Sequence, residues 1–252
     1  PVSEIPGFES AATSRSLETI LPRFKVHALP SSTSVQLTAT ENSLGDLNFP
    51  PAMDSVCAIP RTMGRGFDRG QKWRYLPILD AMDSEGQMRG SPAWITINRA
   101  PPFEGSCFAC LGFNDSTLLS SRTGKQAAVA IAKRLSNGVF FADAGSEHFA
   151  YWPDERIVLG ATVMNVGDTN QSVSAHIILR NKQGTALAEK TVSLELDARQ
   201  QGKIQESVRL PDIGPAVYSI SAELLQNEVV IDRIVHDVAV LDTRPADTTK
   251  FM

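Results

Sequence analysis

Apolar and polar residues alternate in short runs along residues 155–242. In the runs 159–163 and 173–179 the apolar residues lie two positions apart. Alternation with this period is typical of strands that bury one face. Six or seven such runs follow one another, joined by turns such as residues 181–184, and no helical pattern interrupts them. The spacing therefore predicts an antiparallel β-sandwich of immunoglobulin-like type.

Within this sandwich, strands are expected at residues 159–163, 173–179, 186–196, 203–210, 217–225 and 229–241. Tyr218 stands near the start of one of them, after Gly214, where sandwiches of this type place a conserved tyrosine corner. His176 and His236 fall within strands, and we expect both at the surface.

The preceding residues mix strands with a single helix. Strands are expected at residues 24–29, 35–39, 56–59, 73–79, 93–98, 106–113 and 139–142. Residues 124–137 carry Ala127 and Ile131 on one helical face, and Gly138 stands in the position of a C-terminal cap. The chain thus predicts an α+β, mostly β fold, with a small incomplete α/β domain before the sandwich.

A change of pattern near Tyr151, Trp152 and Pro153 marks the expected boundary between the two domains. The predicted organisation is a connecting arm at residues 1–22, an α/β domain at 23–150, the sandwich at 151–242 and a tail at 243–252. One short helical turn is expected at residues 16–21 of the arm.

The composition restricts the class of protein. Hydrophobic residues make up 42% of the 252 residues and charged residues 21%, which is typical of a soluble globular chain. A net charge of −4 gives no general attraction to nucleic acid or membrane surfaces. No run approaches the roughly 20 apolar residues that span a bilayer. The chain begins at Pro1 without a signal-peptide pattern, so we expect a piece of a longer polypeptide, cytoplasmic or secreted.

The three cysteines are Cys57, Cys107 and Cys110. A structural zinc site needs about four clustered ligands, and no second cysteine pair accompanies Cys107 and Cys110. Because residues 106–113 read as a buried strand, we expect buried structural thiols, with a site or a labile disulfide as the alternative. No metal and no cofactor is predicted.

Residues 61–74 form a segment rich in arginine and glycine, with five cations and one acid. Arginine offers a planar fork to carboxylates, phosphates or sugar hydroxyls, and an indole ring can stack on a sugar. The candidate ligand-binding residues are Arg65, Arg69, Trp73 and Arg74. The alternative is structural: these arginines pair with nearby acids such as Asp68, Asp80 and Asp83 and fix the loop against a neighbouring domain. The glycines match neither a phosphate loop nor a dinucleotide fingerprint.

Catalytic residues cannot be assigned from the pattern. Glycoside hydrolysis needs two facing carboxylates, and the available acids are Asp80, Asp83, Glu85, Glu104, Asp143 and Glu147. Their spacing selects no pair. The adjacent Glu147 and His148 match no metal spacing, since the helical zinc motif needs two histidines four residues apart.

Residues 58–79, followed by Gly90-Ser-Pro-Ala-Trp94, resemble the region that follows the catalytic barrel in multidomain glycoside hydrolases of the β-galactosidase-like kind. So does the path from Gly138-Val-Phe-Phe into Tyr151-Trp-Pro-Asp-Glu155. In that family a glutaminase-like α/β domain, often used for oligomer contacts, precedes an immunoglobulin-like sandwich. The resemblance covers about residues 20–242. It implies that the catalytic acids lie on a barrel outside this chain.

The same resemblance implies no amidotransferase activity. The cysteine, histidine and glutamate set of true glutaminases cannot be placed on this sequence, since no cysteine lies at a strand-to-helix elbow. A non-catalytic descendant of that domain is therefore expected.

The leading hypothesis is a non-catalytic C-terminal portion or subunit of a carbohydrate-active glycoside hydrolase, which supports the catalytic domain and assembles as a homo-oligomer. Its expected partners are that catalytic domain or a second chain, and carbohydrate. Two alternatives are a self-contained carbohydrate-binding or adhesion module, and a hydrolase acting on an anionic sugar through residues 61–74. The first hypothesis predicts a large apolar patch on the α/β half. A hydrolase predicts a deep pocket of convergent acids or histidines.

Overall fold

The structure, a computed structural model, describes the side chains of residues 73–101, 103–113, 117, 120–153, 155–206 and 214–242. It also describes the backbone of residues 24–29, 35–39, 55–60 and 207–208. The expected arm, its helical turn and the tail lie outside the described residues. The chain forms two compact units that divide between Asn137 and Gly138.

The first unit contains six strands and a helix among its described residues: β1 (Phe24–Leu29), β2 (Val35–Ala39), β3 (Ser55–Pro60), β4 (Trp73–Asp83), β5 (Ala93–Asn98), β6 (Cys107–Leu111) and α1 (Arg122–Asn137). Strands β1 and β3 pair with each other, and a four-stranded sheet has the order β2-β4-β5-β6. All of these pairs are antiparallel. The glutaminase-like assignment stays a prediction.

Strand β5 lies inside the four-stranded sheet, and all six of its side chains are buried. Its sequence, Ala-Trp-Ile-Thr-Ile-Asn, places apolar groups on both faces, as expected of a strand covered on both sides. On one face Trp94 packs with Trp73, and Tyr75, Phe108 and Cys110 pack around the two indoles.

Helix α1 begins two residues earlier than the apolar pattern predicts. The Ser121 hydroxyl accepts a hydrogen bond of 3.0 Å from the Gly124 N–H, which satisfies one of the free donors of the first turn. Ala127 and Ile131 are buried on one face, as predicted. Gly138 has φ +68°, which confirms the predicted C-terminal cap.

The second unit is the sandwich, and its elements are β7 (Val139–Ser146), β8 (Ala150–Tyr151), β9 (Ile157–Asn165), β10 (Gln171–Arg180), β11 (Ala186–Leu196), β12 (Gln201–Val208), β13 (Ala216–Gln226) and β14 (Val229–Val240). One sheet has the order β11-β10-β13-β14-β8 and the other has the order β12-β9-β7. Side chains from both sheets form one apolar core. The predicted mostly β fold with an immunoglobulin-like sandwich is confirmed.

Strand β7 belongs to the sandwich, although the sequence pattern predicts residues 139–150 in the preceding domain. It pairs along its length with β9, and Val139 and Phe141 lie in the sandwich core. The aromatic residues near Tyr151 therefore lie within the second unit, and the chain divides earlier than the change of pattern indicates.

Two local features of the sandwich match the sequence. The Tyr218 hydroxyl donates a hydrogen bond of 2.7 Å to the carbonyl oxygen of Gly214, so the predicted tyrosine corner is present. The turn at residues 181–184 closes the β10–β11 hairpin, with a hydrogen bond of 2.9 Å from the Gly184 N–H to the Asn181 carbonyl oxygen.

His236 departs from the expected surface position. Along β14 the buried side chains alternate with exposed ones, and His236 falls on the buried face at 9% exposure, in step with Ile234 and Val238. His176 is half-buried on the outer face of β10. The strand period therefore placed the two histidines on opposite sides of the sheet.

Among the described residues, no helix combines the length and the apolar character that a membrane crossing requires.

Candidate functional site

The described part of the arginine-glycine segment is buried. Trp73 is 5% exposed and packs on Trp94, and Arg74, its neighbour on the opposite face of β4, is 2% exposed. An indole enclosed in this way offers little surface to a sugar ring, and the binding role expected of Trp73 and Arg74 stays a prediction. Arg65 and Arg69 lie outside the described residues, so their predicted role stays a prediction.

The two described cysteines lie on opposite faces of β6. Cys107 and Cys110 are three positions apart, and successive side chains of a strand alternate between faces. They therefore cannot converge on one metal ion or form a disulfide without breaking the strand. Burial raises the pKa of the Cys110 thiol to about 11, which keeps it protonated at neutral pH. Both side chains are half-buried.

Asp80 and Asp83 are three positions apart along β4, so their side chains lie on opposite faces of the strand and do not face one another. The Ser91 hydroxyl donates a hydrogen bond of 2.5 Å to Asp80, and burial nevertheless raises the pKa of that carboxyl above its ordinary value. The Asp83 carboxylate instead stabilises the turn that follows β4. It accepts hydrogen bonds from the N–H groups of Gln87 and Glu85 and pairs with Arg89, and its pKa is lowered.

A row of charged side chains crosses the outer face of the five-stranded sheet. His176 Nε2 lies 2.7 Å from a carboxylate oxygen of Glu189, and Nδ1 lies 3.8 Å from Glu223. Arg233 donates to Glu223 at 2.5 Å. These cross-strand neighbours satisfy one another, which is typical of a solvated sheet face.

The outer face of the three-stranded sheet carries a groove of about 270 Å³. We call it the glycine groove. Its floor includes Gly145 and Gly160, which are paired in register between β7 and β9 and present backbone without side chains. Its lining comprises Asp143, Ala144, Gly145, Ser146, Glu147, Val158, Gly160, Ala161, Thr162, Lys203, Ile204 and Gln205.

The polar residues of the glycine groove come from all three strands of the sheet or their ends. Asp143 is opposite Thr162, and Thr162 is opposite Lys203, so an acid, a hydroxyl and an amine form one row across the sheet. Gln205 is opposite Gly160 in the next row. The Oδ1 atom of Asp143 is buried and has no hydrogen-bond partner within the part of the chain that is described.

The geometry also explains why Gly160 is a glycine. A Cβ atom at this position would lie 2.7 Å from the carbonyl oxygen of Ile204 on the neighbouring strand. A real Cβ does not approach backbone so closely, so β9 and β12 would have to separate.

The sequence shows Asp143 and Glu147 as available acids, but their spacing does not indicate that they line one groove. They line one groove because β7 joins the sandwich, where residues 143, 145 and 147 face outward. A signal was present in Gly145 and Gly160, since glycine inside a strand often marks a close approach of backbone or ligand. His148, which the sequence paired with Glu147, instead places its ring 5.5 Å from that of Tyr151.

No group of three or more histidine, cysteine or acidic side chains that could hold a metal ion occurs among the residues described. The predicted apolar patch on the first unit is also missing from its described side chains. Only Met88 and Val129 are large, apolar and exposed there, and they lie in different elements.

No protein-family model and no curated protein matches this chain. Solved structures resemble part of it weakly, at the level of the fold. A β-glucuronidase from glycoside hydrolase family 2 is 12% identical with a TM-score of 0.32, over 41% of this chain and 11% of that one. A family 2 glycosyl hydrolase from Bacteroides cellulosilyticus is 15% identical with a TM-score of 0.34, over 42% and 16%.

The same degree of likeness extends to a structure that is not described as a glycoside hydrolase. A CARDB domain from Pyrococcus furiosus, crystallised with di-metal ions, is 14% identical with a TM-score of 0.33, over 42% of this chain and 94% of that one. This chain spans only a small part of the two glycoside hydrolases. At these TM-scores the likeness supports no statement about activity.

Proposed function

We propose that this chain is a non-catalytic portion or subunit of a multidomain glycoside hydrolase, in which it supports the catalytic domain and the assembly of the oligomer. The observation that carries the proposal is the dispersal of the acids among the described residues. Two neighbouring pairs of candidate acids show this: one pair lies on opposite faces of a strand, and the other has its Cα atoms far apart along the chain.

Asp80 and Asp83 illustrate the first case, because their side chains leave β4 in opposite directions. Asp143 and Glu147 illustrate the second. Four positions along the extended chain separate their Cα atoms by roughly 13 Å. Carboxyl groups that cleave a glycosidic bond lie roughly 5–9.5 Å apart. The Asp80–Asp83 pair therefore cannot serve, and the Asp143–Glu147 pair has backbone positions farther apart than the carboxyl separation that the reaction requires.

The link to glycoside hydrolases comes from the sequence. Residues 58–79 and 90–94, and the path from Gly138 to Glu155, resemble the region after the catalytic barrel in β-galactosidase-like enzymes. A sandwich at this position in a multidomain chain acts by packing against its neighbours. The β13–β14 hairpin exposes four valines along its length: Val217, Val229, Val230 and Val235.

The test is native mass spectrometry of the protein purified from its own source, with glycosidase assays on each species that is separated. We expect a polypeptide longer than 27.3 kDa, or a tightly bound second chain, and glycosidase activity only where that additional part is present. The isolated residues 1–252 should be inactive.

A monodisperse species of 27.3 kDa that hydrolyses glycosides by itself would refute the proposal. A stable 27.3 kDa species with neither a partner nor activity would also refute it, in favour of a self-contained module. A matched reconstitution separates these outcomes, in which the catalytic part is assayed with and without the chain for thermal stability and oligomer size.

A further inference from the structure

The outer edge of β14 carries an inference about assembly. Strand β14 pairs with β13 along its length, but on its other side it pairs, among the described residues, only at Ala239 and Val240, with the short strand β8. We propose that the remaining edge of β14 joins the same edge of a second copy of this chain, antiparallel and centred on Val235. The inference rests on the assembly role in the proposed function and names the surface that performs it.

The backbone of β14 fixes which groups face this edge. The Ala239 N–H donates a hydrogen bond of 2.9 Å to the carbonyl oxygen of Phe149, which directly precedes β8. Backbone groups of alternate residues point to the same side of a strand, and the pairing with β13 is regular from Arg233 to Ala239. The N–H and C=O groups of Val235 and Asp237 therefore face the open edge, where the described residues supply no backbone partner.

The side chains on the outer face make this edge complementary to itself. Arg233, Val235 and Asp237 are exposed there and lie two positions apart. In an antiparallel pair centred on Val235, Arg233 of each copy lies opposite Asp237 of the other. Directly opposite residues of neighbouring strands have Cβ atoms roughly 4.5–5.5 Å apart, within reach of an ion pair. Arg233 also pairs with Glu223 of its own chain, and its planar fork has donors for both acids.

Charge determines both the occupant and the register. Charged residues on a sheet edge usually keep copies apart. A register centred on Arg233 or on Asp237 places two like charges opposite each other. The register centred on Val235 instead matches each charge with its opposite, and it covers Val235, which is 42% exposed in the single chain. A second copy supplies the same pattern in reverse order, as a twofold antiparallel pair requires.

The backbone hydrogen bonds of this pair centre on Val235. Its N–H donates to the Val235 carbonyl oxygen of the other copy, and the reverse bond forms by symmetry. The Arg233 N–H already donates to the carboxylate of its neighbour Asp232 at 2.8 Å, so the new ladder is short. A short ladder buries less surface than the roughly 1,200–2,000 Å² of stable complexes, and we therefore expect a weak dimer.

The test is sedimentation velocity of the full chain from about 1 to 300 μM, at low and at high salt. The wild type is expected to change from monomer to dimer over this range, and salt should weaken the dimer because the ion pairs are exposed. Asp237→Lys should weaken association about tenfold or more, because it sets a cation opposite Arg233. Arg233→Glu should do the same by setting an acid opposite Asp237.

Mixing these two variants is the decisive measurement. Each variant alone meets like charges, whereas a mixed pair places Arg233 opposite Asp237 and the introduced lysine opposite the introduced glutamate. The mixture should therefore form a heterodimer of about the wild-type affinity. Glu195→Lys is the matched control, since it reverses an exposed charge on β11, at the other edge of the same sheet, and should dimerise like the wild type.

Thermal unfolding checks that each variant folds, and Asp237→Lys alone decides the matter if Arg233→Glu does not fold. A wild type that stays monomeric over the whole range overturns the inference. So does a dimer that Asp237→Lys leaves unchanged, or a mixture of folded variants that associates no better than each variant alone. Because these measurements use this chain by itself, their failure is distinct from a failure of the proposed link to a catalytic domain, which the native mass measurement tests.

Discussion

The Oδ2 atom of Asp232 accepts a hydrogen bond of 2.8 Å from the backbone N–H of Phe141, and this bond joins strands that belong to different sheets of the sandwich. The second oxygen accepts from the N–H of Arg233 at 2.8 Å. Strand β7 ends its sheet, so the side of it that faces away from β9 presents backbone groups that need partners. Asp232, only 6% exposed, supplies one of them from across the core.

Asp232→Ala should lower the free energy of unfolding of the sandwich by about 2–3 kcal/mol, because it leaves the buried Phe141 N–H without this acceptor. Urea denaturation followed by far-UV circular dichroism measures the change. Asp237→Ala, on the exposed face of the same strand, should stay within about 0.5 kcal/mol of the wild type. Equal losses in the two variants would contradict the role given to Asp232.

Tyr218→Phe removes the hydroxyl that bonds Gly214 and leaves the ring in the core. The expected loss of stability is about 0.5–1.5 kcal/mol, the usual net value of one hydrogen bond. The neighbouring Ser219→Ala, on the outer face, serves as the control in the same denaturation experiment. A Tyr218→Phe variant as stable as the wild type would show that the corner bond is energetically neutral.

Gly160→Ala should destabilise the sandwich by about 1–3 kcal/mol, because the new methyl group would collide with the Ile204 carbonyl and separate β9 from β12. Gly214→Ala is the matched control, since a Cβ there meets no atom within 4 Å. Amide hydrogen exchange along β12 should accelerate in Gly160→Ala alone. Unchanged exchange would argue against the close approach.

Asp80 and Asp83 should respond to pH with opposite signs. The folded pKa of Asp80 is raised by burial, so the folded chain holds its proton more tightly than the unfolded chain, and stability falls as pH rises from about 3.8 through the folded pKa. The free energy of unfolding of Asp80→Asn should therefore rise relative to that of the wild type as the pH rises through that window. Below the window the two proteins should be alike.

The folded pKa of Asp83 is lowered, mainly by the N–H of Gln87, so its stabilising contribution is present above about 3.8 and is lost as pH falls through the folded pKa. Asp83→Asn should be less stable than the wild type at neutral pH, and the difference should shrink in acid. Urea denaturation at several pH values between ~3 and ~7 tests both variants. If the stability of Asp80→Asn and of Asp83→Asn changed with pH in the same direction relative to the wild type, the opposite roles given to the two acids would be refuted.

Cys110 should resist alkylation in the folded chain. Its pKa of about 11, against an ordinary 9.0, lowers the thiolate fraction about a hundredfold at neutral pH. Peptide mass spectrometry after brief iodoacetamide treatment measures the modification, with the urea-unfolded chain as the reference. Rapid native modification, or a disulfide joining Cys107 to Cys110 after mild oxidation, would contradict the strand geometry.

The strands and the helix could be predicted because their signals are local. Period-two alternation predicted β10 and β13. The position of Tyr218 after Gly214 predicted the tyrosine corner, and Gly138 predicted the end of α1. Each of these features depends on a few neighbouring residues and on backbone stereochemistry, so it can be predicted from a short stretch of sequence.

What the sequence could not determine depends on which strands become neighbours. The period of β14 is local, but the side on which His236 lies depends on the partner sheet. The burial of Trp73 and Arg74, the place of β7 in the sandwich and the alignment of Asp143 and Lys203 on either side of Thr162 are likewise products of non-local packing. By itself the sequence determined the elements and the sandwich class, and only the tertiary structure decided which side chains share the glycine groove, because contacts between distant segments have no local signature.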